Sequence, residues 1–95
     1  HPIVKMAILG NDLSYSRFGV IASKVIGNAV ERNLCKRRLR AVLNMLKKEC
    51  EPGWDVVFII RKGFQNTPLS EIRAIIEGLF LQAGLLKNKE KIYGR

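Results

Sequence analysis

Acidic residues are scarce in this sequence. Eight aspartates and glutamates stand against 17 lysines and arginines, leaving a formal charge of +9 and a pI near 10.1. Such a balance favours an anionic partner, nucleic acid first and an acidic membrane surface second. Histidine is nearly absent, with one at position 1, and cysteine occurs twice, at Cys35 and Cys50. Those residues make neither a zinc-ligand spacing nor a catalytic triad. On one helix, Cys35 and Cys50 would lie about 22 Å apart, too far for a disulfide. They read as reduced, buried thiols of a cytoplasmic protein. No apolar run reaches the length of about 18 residues that a membrane span needs. The N-terminus lacks the basic-then-apolar order of a signal peptide.

What is present fits one small domain over residues 1–95, with 47% hydrophobic residues to fill a single core. Residues 3–9 (IVKMAIL) read as a strand, and Gly10-Asn11-Asp12 as a turn of the kind that joins antiparallel strands. Residues 17–24 (RFGVIASK) form a second strand, with Phe18, Val20 and Ala22 on one side and Gly19, Ile21 and Ser23 on the other. Both sides carry apolar groups, so both are expected to be at least partly covered. Residues 54–61 (WDVVFIIR) are nearly continuous in apolar character, as suits a central strand. Thr67-Pro68 opens a last helix with proline at its first position, and Leu69, Ile72, Ile75, Ile76, Leu79, Phe80, Ala83 and Leu86 make its buried stripe. Residues 87–95 form a basic tail. The order β-β-α-β-α predicts an α/β (α+β) two-layer sandwich, with helices packed on one sheet.

The chain is organised around residues 27–40 (GNAVERNLCKRRLR). Asn28 is a good N-cap, Glu31 completes a capping box, and the helix is expected to run to about Lys48. At about 100° per residue, Asn33, Lys36, Arg37, Arg40, Asn44 and Lys47 share one side, while Cys35, Leu39, Val42, Leu43 and Leu46 share another. Six basic residues fall between Lys24 and Arg40, opposed by Glu31 alone. Arg32, Lys36 and Arg40 form a like-charge ladder, which costs an isolated helix stability. A polyanion with regularly spaced phosphates would justify it; a merely solvated basic face is the bland alternative.

Residues 17–40 (RFGVIASKVIGNAVERNLCKRRLR) resemble the signature region of the bacterial ribonuclease P protein subunit, and the likeness continues through WDVVFIIRK and the last helix. One departure is Leu34, where the family's Arg-Asn-Arg core often has its second arginine; Arg38 is expected to supply the lost charge. The resemblance implies a left-handed β-α-β crossover around the basic helix. It also implies a helix before the first strand, carrying aromatics that help wall a cleft for the leader, which this sequence does not contain. It further implies an RNA-binding subunit working with a catalytic RNA that carries the active site and its Mg²⁺ ions, with no metal held by a protein cluster and no obligate protein partner or membrane. The task implied is removal of the 5′ leader of precursor tRNA.

Asn28, Arg32, Asn33, Lys36, Arg37 and Arg40 are thus the expected RNA contacts, with arginine forks suited to phosphate. Phe18 and Val20 are candidates for the floor of a shallow groove for single-stranded leader RNA. Ser23, Lys24, Arg61 and Lys62, at the ends of two strands, are candidates for its mouth. The competing readings are a general RNA-binding module of ribosomal-protein-like topology, a stand-alone nuclease, for which paired carboxylates are lacking, and a basic protein–protein adaptor.

Overall fold

The computed structural model describes residues 1–86; the basic tail expected over 87–95 lies outside them. Its elements are β1 (Val4–Gly10), β2 (Arg17–Ala22), α1 (Ala29–Leu46), β3 (Trp54–Ile60) and α2 (Leu69–Ala83), with short 3-10 turns before and after α1 and before α2. The expected order and the α/β two-layer arrangement hold.

The sheet order is β1-β3-β2, with β3 central, antiparallel to β1 and parallel to β2. The turn at Gly10-Asn11-Asp12 therefore does not make the hairpin that it suggests. The chain instead crosses the end of β3, and that crossing is bonded in place. Asn11 N donates to Gly53 O at 2.9 Å. Ser16 Oγ donates to Glu51 O at 2.7 Å and accepts from Trp54 N at 3.0 Å. Beyond it, Arg17 grips Asp55 with Nε and Nη2 at 2.8 and 2.7 Å, and Asn11 Nδ2 donates to the same carboxylate at 2.8 Å. Those bonds, Arg17's first, hold the Asp55 carboxyl down to about 2.

Strand register sorts the sheet into two faces. Val4, Met6, Phe18, Val20, Ala22, Val56, Phe58 and Ile60 belong to one face, and they pack in a single core with Leu39, Val42, Leu43 and Leu46 of α1 and Ile72, Ile76 and Phe80 of α2. The Phe80 ring lies 5.9 Å from Phe58 and 6.4 Å from Phe18. The opposite face is covered only in part: Gly19, Val57 and Ile59 are half-buried, while Leu9 and Ile21 are exposed, because both helices pack on the other side.

Local chemistry sets the helix boundaries. Asn28 Oδ1 accepts from Glu31 N at 2.9 Å, and Glu31 Oε1 accepts from Asn28 N at 3.0 Å, so the capping box is complete. Gly27 precedes it at φ 147°, where an added Cβ would lie 2.3 Å from Glu31 Oε1; only glycine lets that carboxylate reach back. Pro68 is the N-cap of α2 rather than its first helical residue. Cys35 and Cys50 are both buried, and the Cys50 thiol donates to Leu46 O at 3.8 Å.

Candidate nucleic-acid interface

α1 is two-sided, as its periodicity predicts. Cys35, Leu39, Val42, Leu43 and Leu46 are buried, while Asn33, Arg37, Arg40, Asn44 and Lys47 are exposed and Lys36 is half-buried. Among the described residues the ion pairs are Arg17–Asp55 and Arg73–Glu77, and neither uses an α1 cation. The one carboxylate in the first turn, Glu31, is held as a cap. The cationic row is thus left without a neutralising partner within the described chain, and its charge is available to an outside anion.

Two of the arginines are partly or wholly committed. Arg32 Nη1 donates to Gly27 O at 3.0 Å, fixing that guanidinium beside the N-cap turn. Arg38 turns the other way. Its Nη1 reaches Phe64 O and Gln65 O at 3.5 and 3.4 Å, its Nη2 donates to Thr67 O, and its guanidinium lies 5.7 Å from the Phe64 ring centroid. Arg38 therefore ties α1 to the turn that opens α2. Arg38 keeps its positive charge near Leu34, but these bonds to backbone carbonyls hold its guanidinium toward the opening of α2. Leu34 itself is exposed.

A cleft of about 680 Å³ lies between β2 and the C-terminal half of α1. Phe18, Val20 and Leu43 give it an apolar floor, Arg40, Asn44, Lys47 and Lys48 a polar wall, and Tyr15 a place on its border. Phe18 both packs on Phe80 and lines the cleft. Along α1, Arg40 and Asn44 are one turn apart, about 6 Å, and Lys47 continues the row.

The candidate groove residues do not gather at one place. β2 and β3 are parallel, with Ala22 opposite Ile60, so exposed Ser23, Lys24, Arg61 and Lys62 follow the same end of the sheet. The N-terminus of α1, with Asn28 and Arg32, begins at that end. Phe18, Val20 and Arg40 line the cleft at the other. Asn44 and Lys47 were visible on the cationic side of the helix wheel, yet only the cleft makes them candidates for the site. Nothing in sequence pointed to Tyr15 or Lys48.

The fold and this face define a small, strongly basic α/β binding protein. Residues 2–84 match the family Ribonuclease P. The chain belongs to that family: it is a protein component of the endoribonuclease ribonuclease P. It is 33% identical over 91 residues to the ribonuclease P protein component of Herpetosiphon aurantiacus, covering 96% of this chain and 74% of that one. To a counterpart from Dehalococcoides mccartyi it is 39% identical over 87 residues, 90% of this chain and 71% of the relative. A solved RNase P protein from Thermotoga maritima superposes with a TM-score of 0.76 at 25% identity, over 83% of this chain and 76% of that one. The Staphylococcus aureus protein gives a TM-score of 0.79 at 24% identity, over 92% and 80%, a likeness of fold.

Proposed function

We propose that the solvent face of α1 docks on the RNA subunit of ribonuclease P, and that the cleft beside β2 takes the single-stranded 5′ leader of precursor tRNA. In this reading the RNA carries the phosphodiester chemistry and its Mg²⁺ ions, and the protein contributes affinity for RNA and substrate. The observation that carries it is the row Asn33, Arg37, Arg40 and Asn44, whose cations have no ion-pair partner among the described residues and which runs directly into an apolar-floored cleft. Arginine forks hold phosphates along the row, and amides bond ribose hydroxyls. In the cleft, Phe18 and Val20 receive unpaired bases while Arg40 and Lys47 hold the strand's backbone. Two buried thiols, Cys35 and Cys50, fit a cytoplasmic setting. Ser23, Lys24, Arg61 and Lys62, with Asn28 and Arg32, form a separate basic end of the molecule that meets the RNA subunit rather than the leader.

Reconstitution tests this reading. The chain should let the RNA subunit remove a 5′ leader at Mg²⁺ too low for the RNA alone, and the protein by itself should cleave nothing. A general RNA-binding module would bind the RNA without that rescue. Neutralising Lys36, Arg37 and Arg40 together should flatten the salt dependence of binding by about 2 to 3 in log–log slope. An unchanged slope would exclude α1 as the contact surface.

A further inference from the structure

The signature helix carries a second stripe beside its cationic row. At about 100° per residue, Val30, Leu34, Ala41 and Met45 fall within about 60° of one another, and Asn33, Arg37, Arg40 and Asn44 fill the adjoining arc. The structure leaves this apolar stripe in solvent: Val30 is 76% exposed, Leu34 53% and Met45 47%, and Ala41 is exposed with them. On its far side Arg73 of α2 donates from Nη1 to Met45 Sδ at 3.9 Å. The stripe is thus an aliphatic ridge with guanidinium groups on both flanks. A solvent-facing helix in a protein this polar normally carries charge at such positions. Here the apolar residue at Leu34 interrupts a basic run.

We infer that the ridge Val30, Leu34, Ala41 and Met45 is itself an RNA contact, seated in the shallow groove of an A-form duplex. The inference rests on the proposal that α1 binds RNA, and it adds the form of that RNA. Arg37 and Arg40 on one flank, without an ion-pair partner among the described residues, argue for a polyanion over a protein partner. The ridge is aliphatic, so it offers no aromatic ring for stacking unpaired bases. A convex ridge matches the wide, shallow minor groove of double-stranded RNA, whose floor presents ribose and base edges between two lines of phosphates. Arg37 and Arg40 then meet one phosphate line, and Arg73 meets the other by exchanging its ion pair with Glu77 for phosphate, with Asn33 and Asn44 at ribose hydroxyls. Leu34 adds apolar contact where an arginine would add charge, so part of the affinity is independent of salt.

Salt titrations separate the two contributions. The probes are a perfect RNA duplex, one of its single strands, and the ribonuclease P RNA subunit, each bound to the full chain over a ladder of salt concentrations. Replacing Val30 and Leu34 together by serine should lower duplex and subunit affinity extrapolated to 1 M salt by about tenfold, with the slope unchanged and the single strand unaffected. Leu34→Arg should steepen the slope while lowering the extrapolated affinity. Both positions are exposed, and circular dichroism checks that the fold survives. An unchanged intercept overturns the inference, as does an equal loss on the single strand. A loss of self-association in sedimentation, with RNA binding intact, overturns it in favour of a protein contact. If Arg37 and Arg40 variants leave the slope untouched, it is instead the parent reading of α1 that fails.

Discussion

A single arginine shows how far side-chain identity falls short of role. Arg38 lies in a run of cations and reads as one more phosphate ligand, yet its donors close on carbonyls of residues 64, 65 and 67. Nothing near Arg38 in sequence announces this, since its partners come about 26 residues later and meet it only after α2 has docked. Arg38→Ala should lower stability by about 1–2 kcal/mol while leaving the salt slope of RNA binding unchanged. Chemical denaturation and binding isotherms on the same variant check both halves. Asp55 makes a different prediction. Its carboxyl is held at about 2 by Arg17 and Asn11, below the value of about 4 of an unfolded chain. A depressed acid contributes stability that is complete above the unfolded value and is lost as pH falls toward the folded one. Thermal stability should therefore drop between about pH 4 and about pH 2, and Asp55→Asn should remove that part of the drop.

At the scale of elements, α1 was the most legible part of the chain. Its apolar spacing, its cap and its cationic side are all local properties, and the structure returns them nearly residue for residue. The central place of β3 was legible too, from a strand that is apolar on both faces. Strand neighbours were not. Gly10-Asn11-Asp12 has hairpin chemistry, and only the longer crossing through Ser16 distinguishes a bridge over β3 from a turn between partners. The cleft was half legible for the same reason: Phe18 and Val20 were visible on β2, but their apposition to Lys47 and Lys48 requires α1 to lie back along that strand. Replacing Lys47 and Lys48 by alanine should weaken binding of precursor tRNA to the reconstituted ribonucleoprotein. It should leave binding of the same tRNA without its leader unchanged, a difference that paired equilibrium measurements would expose.

Over the whole molecule, the charge of +9 sets two opposite responses to salt. Like charges along α1 repel one another in the free protein, and ions screen that repulsion over about 10 Å at 0.1 M. The same ions compete with the protein for phosphates. Raising salt from about 0.05 to about 0.5 M should therefore raise the melting temperature of the free chain while weakening its hold on RNA. Calorimetry and binding over the same ladder would show the two trends diverging.

Of the described strands, the last to be synthesised occupies the middle of the sheet. On the ribosome, β1 and β2 emerge before β3 but share no edge with each other, and α1 emerges before its core is complete. Closure waits for residues 54–60 to leave the exit tunnel and slot between two strands already made. Pairings this distant in sequence are slow to form. A nascent chain stalled before Trp54 would thus display the basic helix with no sheet behind it, a sticky, unshaped polycation in the midst of ribosomal RNA.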